Sequence, residues 1–207
     1  MSNIKLYRHP LSGHSHRVEL LISVLGIDAE IINVDLMKGE QKSAEFLAKN
    51  PNGQVPALED NGMFIADSNA ILVYLATKFD SSRTWLPDDA MAAASIQKYL
   101  TIAAGAVAFG PAAARLVTLF GAGLDHQNAI TTAENLFTAL NSHLENNDWL
   151  ATSHATIADI ANYAYIAHAP EGNVDLSKYP NIKDWLNRIE SIKGFVPMQS
   201  SKVGLAA

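Results

Sequence analysis

No cysteine occurs anywhere in the 207 residues. That absence excludes structural disulfides, thiolate metal sites and a Cys-x-x-Cys redox centre carried by the protein. Any thiol chemistry must use a thiol that the ligand brings. Charge is sparse as well: Asp, Glu, Lys and Arg make up 17% of the chain, with a net charge of −6 at pH 7 and a pI near 5.6. Nucleic-acid surfaces are usually basic, so no nucleic-acid partner is expected, although local cations can still hold a small anion. The first residues, MSNIKLYRHP, lack the apolar core of a secretion signal. No run is read as the roughly 20 apolar residues that a membrane span needs. A cytoplasmic protein with no membrane partner is therefore expected. What is abundant is apolar: 48% of residues are hydrophobic, which marks a globular chain. Its length allows one large domain or two small ones with real cores.

The patterning divides in two. Ile4 to Arg8 reads as a strand ended by Pro10. Ser12 is a candidate N-cap for a helix carrying Val18, Leu21, Ile22 and Leu25 at helical spacing, and Gly26 stops it. Glu30 to Val34 is a β-branched run and a second strand; residues 42–49 read as a short helix. Val55 to Glu59 and Met63 to Ala66 are strands joined by Asp60-Asn61-Gly62, a hairpin signal. Ser68 opens a third helix through Ile71, Leu72 and Leu75. The order β-α-β-α-β-β-α implies a parallel pair with a right-handed crossover, then a hairpin, in one mixed sheet with helices on its faces. Residues 79–88 are polar with a proline and read as a linker. Beyond them every segment is helical: 91–120, broken or kinked at Gly105, Gly110 and Pro111, then 127–145, 156–167 and 182–192. The fold class is α/β plus all-α, with residues 1–78 as the first domain and 89–207 as the second.

Within this order, the stretch 50–72, NPNGQVPALEDNGMFIADSNAIL, is unusual. A proline at the start of a strand harms the ladder, and polar groups at a following helix start favour anions. Together they point to a place where backbone meets an extended, peptide-like, anionic ligand.

Four segments carry a family likeness: KLYRHPLSGHSHRVELLISVLGI at 5–27, the stretch 50–72, TWLPDD at 84–89 and ATIADI at 155–160. With these, the chain resembles the cytosolic glutathione transferases, in a bacterial, serine-type form similar to the phi and theta classes. The resemblance implies a thioredoxin-like first domain that binds glutathione, an all-helical second domain and a homodimer. In serine-type members a Ser five residues before an Arg activates the thiol, and Ser12 and Arg17 have that spacing. A hydroxyl donating to a charged group is worth roughly 1.5–3 kcal/mol, enough to lower a thiol pKa by about one to two units. Ser12 also suits a plain helix cap. His14, where some bacterial relatives carry a polar thiol contact, stands second, and Tyr7, an activator position in other classes, third.

The resemblance further implies a cis bond before Pro56, with the Val55 backbone pairing to the cysteinyl unit of glutathione. Ser68 would hold the γ-glutamyl carboxylate and Asp67, shorter than the more usual Glu, its ammonium. Gln54 would touch the same tripeptide. Lys42 would hold the glycine carboxylate, with Gln41 beside it in place of a His. Electrophile-pocket candidates on the helical domain are Phe109, Arg115, Tyr163 and Tyr165, each of which also suits core packing. Thr156 and Asp159 form a Thr-x-x-Asp capping box with a folding role. His9, His14 and His16 lack the nearby carboxylate or cysteine of a usual ligand set, so no metal is expected and glutathione is the only cofactor, as a co-substrate. The implied reaction is attack of the glutathione thiolate on a small hydrophobic electrophile. Glutathione-dependent peroxide or disulfide reduction, or non-catalytic binding, are the alternatives.

Overall fold

The computed structural model describes residues 4–207. The chain forms two compact units. The first ends at Arg83 and takes in Lys193–Gln199; the second holds Thr84–Ile192 and Ser200–Ala207. From sequence, everything after residue 88 was expected in one helical domain, and the return of 193–199 to the first unit corrects that. Its cause is local. Gly194, at φ +88, lies so close to the end of the first helix that a Cβ would sit 3.0 Å from the Ser23 oxygen. Two residues on, His16 Nε2 donates to the Val196 oxygen at 2.8 Å.

In the first unit β1 (Ile4–Arg8), β2 (Ala29–Asn33), β3 (Ala57–Asp60) and β4 (Met63–Ala66) make a sheet in the order β2-β1-β3-β4. β1 and β2 are parallel; the other pairs are antiparallel. Alternation along β1 buries Ile4 and Leu6 on one face, as a period of two requires. Tyr7 takes the other face, edge-on to Phe46 with ring centroids 6.4 Å apart. Asn61 (φ 50) and Gly62 (φ 82) make the hairpin turn, the positive φ pair that such two-residue turns demand. The helices are α1 (Gly13–Val24), the one-turn α2 (Ala44–Leu47) and α3 (Ser68–Phe79). A short 3₁₀ turn, Glu40–Lys42, precedes α2. Buried Val18, Leu21, Ile71, Leu72 and Leu75 supply the helical side of the core.

The strand expected from Val55 begins instead at Ala57, paired with Tyr7. Pro56 has no N–H to give the ladder, so pairing starts one residue beyond it, and Val55 is left outside.

The second unit holds α4 (Ala90–Ala104), α5 (Ala113–Phe120), α6 (His126–His143), α7 (Ile157–Ala167) and α8 (Pro180–Glu190). The helical stretch expected over 91–120 breaks at Gly105, one of the three positions expected to break or kink it, and passes through a π turn, Ala108–Ala112, that contains Pro111. Gly110 rests on α6 so closely that a Cβ would lie 2.9 Å from the Ala133 nitrogen. By length and composition alone, Ala90–Phe120 meets the requirement for a membrane span, contrary to the expectation that no run does; half of its apolar window is buried inside the protein. Ten of the eleven α7 residues are buried, which makes it the central helix of this unit. Its capping box forms as expected. Asp159 then accepts from Leu150 N, Thr156 N and Trp185 Nε1 at 2.9–3.0 Å, so one carboxylate ties α7, α8 and the preceding loop together.

Candidate active site

The first unit presents two helix N-termini and one unpaired stretch of backbone. At α1, Ser12 is the N-cap with extended backbone (φ −91, ψ 114), and its Oγ accepts from Ser15 N at 3.2 Å. The tight turn before it is fixed by Ser12 N to His9 O at 3.0 Å and by the buried Ser15 hydroxyl, which accepts from His9 N. No acceptor for the Ser12 hydroxyl proton occurs among the described residues. A half-buried O–H with its proton undirected, at the positive end of a helix, suits a bound anion.

The second piece is the loop 50–56. Buried Asn50 organises it: its Nδ2 donates to Gln54 O at 2.7 Å and its Oδ1 accepts from Asn52 N at 3.0 Å. Gly53, at φ +58, faces Gln41 and Lys42 so tightly that a Cβ would stand 2.8 Å from the Gln41 oxygen and the Lys42 Nζ. The Val55–Pro56 peptide is cis. Val55 is half-buried, and among the described residues neither its N–H nor its C=O enters a hydrogen bond. Unpaired backbone groups removed from water are costly, so this pair is suited to an extended partner that pairs as an added strand does.

At α3 the cap is Asp67, not Ser68. Asp67 sits at φ 71 and its Oδ1 accepts from Asn69 N and Ala70 N, both at 2.9 Å. Ser68 is thereby the first helical residue, 6% exposed. Its Oγ accepts from Arg17 NH1 at 3.2 Å and lies 3.5 Å from His14 Nδ1. Arg17 NH1 also donates to Asn69 Oδ1 at 2.8 Å. Burial, reinforced by the Arg17 charge, pushes the His14 pKa down to about 3, so its imidazole is neutral at physiological pH.

The other sequence candidates fall as follows. Tyr7 OH donates to Glu59 Oε2 at 2.7 Å, and burial together with that carboxylate raises its pKa to about 12. Its proton is committed across the sheet, which removes it from the thiol role. Lys42 is exposed, with Nζ 3.3 Å from the Asn52 oxygen. Gln41 Oε1 is buried without a hydrogen-bond partner. Gln54 is exposed and contributes its carbonyl to Asn50. His9, His14 and His16 turn to three different places: the Leu11 N–H, Ser68 and the Val196 oxygen.

In the second unit Phe109 lies on the π turn and is 71% exposed. Arg115 is 1% exposed and its Nε donates to Glu171 Oε2 at 2.6 Å. Tyr165 is buried, and Tyr163 is buried with its hydroxyl on Glu190 Oε1 at 2.9 Å. Arg115 and the two tyrosines thus pack inside their unit rather than on an open wall; Phe109 alone of the four is presented to solvent.

Sequence reasoning missed Asn50 and the Arg17–Ser68 contact. Asn50-Pro51-Asn52-Gly53 is a turn signature that could have flagged the first. The second joins residues 51 positions apart, and no local pattern encodes it.

Comparison with known proteins agrees with this architecture. A family model for the glutathione S-transferase N-terminal domain matches residues 2–77, and one for the C-terminal domain matches residues 124–193. Glutathione S-transferase 3 of Zea mays is 34% identical over 209 residues, covering 94% of this chain and 92% of that protein. The disulfide-bond oxidoreductase YfcG of Escherichia coli (strain K12) is 30% identical over 203 residues, covering 91% and 90%. The crystal structure of a glutathione S-transferase from Pseudomonas fluorescens superposes with a TM-score of 0.88 at 31% identity, covering 95% of this chain and 99% of that one.

Proposed function

The chain belongs to the glutathione S-transferase family and has glutathione transferase activity, and from that premise we propose that Ser12 turns bound glutathione into a thiolate for attack on a small hydrophobic electrophile. The observation that carries this reading is the Ser12 hydroxyl, which caps α1 through its oxygen and keeps its proton for another acceptor. The thiol proton leaves to solvent, and the Ser12 O–H and the helix end stabilise the sulfur anion. The sulfur then bonds to the electrophilic carbon, either displacing a leaving group that departs with its electron pair or adding to an activated double bond whose electron pair then takes a proton from solvent. Val55 pairs with the cysteinyl backbone. Ser68 and the α3 N-terminus take the γ-glutamyl carboxylate, with Asp67 toward its ammonium. Lys42 takes the glycine carboxylate, and Gln41, Gln54 and His14 complete the surround. Phe109 contributes an apolar surface for the electrophile. A cytoplasmic homodimer accompanies this reading. Retention on immobilised glutathione with elution by free glutathione, followed by a conjugation assay on wild type and Ser12→Ala, tests it. Failure of both retention and conjugation would refute it.

A second reading is favoured by the relative named as a disulfide-bond oxidoreductase. With no cysteine in the chain, both electrons would come from two glutathiones. One thiolate attacks a disulfide and releases a thiol; the second resolves the mixed disulfide to glutathione disulfide and the other thiol. Turnover of hydroxyethyl disulfide exceeding that of a conjugation substrate would select this reading.

A further inference from the structure

We propose that Arg17 is a positioning residue that aims the Ser68 hydroxyl at the γ-glutamyl carboxylate. This rests on the reading of Asp67 and Ser68 as the γ-glutamyl end of the site. Arg17 is a guanidinium at 1% exposure, and its NH1 serves two neutral oxygens, Ser68 Oγ and Asn69 Oδ1. Burying such a charge is costly, and for packing alone an apolar side chain of similar volume often serves as well. Its bonds to Ser68 and Asn69 point to a use beyond packing.

The chemistry of a hydroxyl supplies that use. Ser68 has one proton and two lone pairs; Arg17 can only donate. Arg17 therefore occupies a Ser68 lone pair and sends the Ser68 proton elsewhere. Among the described residues its other polar neighbour is His14 Nδ1 at 3.5 Å, too far for a strong bond. A carboxylate is a much better acceptor, and a hydroxyl that is already receiving a hydrogen bond from a cation donates more strongly. The grip on Asn69 fixes the second residue of α3, while Asp67 consumes the N–H groups of Asn69 and Ala70. That leaves the Ser68 N–H and O–H as donors at this helix end. Arg17 sets the direction of the second, from the same helix that Ser12 caps.

The test is a double-mutant cycle read with two ligands. Glutathione and cysteinylglycine, which lacks the γ-glutamyl arm, are titrated by calorimetry into wild type, R17Q, S68A and the double variant. R17Q is expected to weaken glutathione about tenfold, the loss of one charge-assisted bond. S68A should cost a similar factor, and the double variant little more than either, because the two act through one bond. Cysteinylglycine should bind all four alike. In turnover the loss should fall on the glutathione KM more than on kcat, and R17K should recover part of it. Additive losses, or equal losses for the two ligands, would reduce Arg17 to a structural residue and overturn the proposal. If R17Q does not fold, R17K with S68A forms the cycle, with the same non-additivity required. A wild type that binds neither ligand would instead bring down the glutathione site itself, whereas a wild type that binds glutathione with an additive cycle brings down only the role of Arg17.

Discussion

Ser12→Ala removes one O–H and with it two interactions, and their different magnitudes can be separated by pH. The hydroxyl donates to the thiolate but has little to offer the neutral thiol, so it lowers the thiol pKa; taking it away raises that pKa. A bond to a charged group of roughly 1.5–3 kcal/mol corresponds to about one to two pKa units. An ordinary thiol near 8.5 is only about 3% ionised at neutral pH, whereas one lowered by about 1.5 units is about half ionised. Conjugation by Ser12→Ala should therefore fall about tenfold near neutral pH and approach the wild-type rate about one unit above the unperturbed pKa. The thiolate absorbance of bound glutathione, followed against pH, reads the shift directly. The second loss is the cap on Ser15 N, about 1 kcal/mol, or about 2–4 °C in Tm for a chain of this size. Ser12→Thr should restore both. A Ser12→Ala enzyme whose bound thiol titrates as in wild type would refute the assignment and move the role to His14, since the Tyr7 hydroxyl is already given to Glu59.

Legibility in the sequence followed how local each signal was. The hairpin at Asn61-Gly62, the caps at Ser12 and Thr156 and the strand Ile4–Arg8 are encoded within a few residues, and they form where expected. Segment type survived even where boundaries moved, as with β3, because Pro56 blocks pairing without changing the apolar pattern around it. Asp67 and Ser68 show a finer limit. Either can cap a helix, and only the backbone at φ 71 decides that Asp67 does, releasing the Ser68 hydroxyl for other work. For Arg115 and Tyr165 the sequence leaves pocket and core readings both open for a related reason: an Arg or Tyr in an apolar helix suits either until its partner is known. Arg115 finds Glu171 fifty-six positions away, beyond any periodicity. The same holds for Lys193–Gln199, whose return to the first unit depends on Gly194 and His16 meeting distant partners.

Further outcomes follow from the same geometry. Tyr7→Phe should leave conjugation within about twofold of wild type and cost about 1 kcal/mol of stability, the worth of its bond to Glu59; a large rate loss at unchanged stability would return Tyr7 to the thiol. Asp67→Asn should keep the α3 cap and weaken glutathione, while Asp67→Ala should also lose about 1 kcal/mol of stability in denaturant unfolding; equal effects of the two on binding and stability would contradict separate roles. Acid should unfold the helical unit in two stages. Burial holds the His168 pKa below 6.5, so as pH falls from 6.5 the unfolded chain takes up that proton before the folded one and stability drops. Burial opposes ionisation of Glu171, but its bonds to His168, Ser201 N and Arg115 outweigh this and hold its pKa below 4.5. Its contribution is present above that ordinary value and is lost as pH falls through the lower, folded one. Denaturant unfolding across this range should therefore show an upper loss abolished by His168→Gln, which stays neutral, and a lower one abolished by Glu171→Gln, whose baseline stability also falls because Arg115 is left buried without its carboxylate. If both variants keep the wild-type pH dependence, the acid response lies outside this cluster.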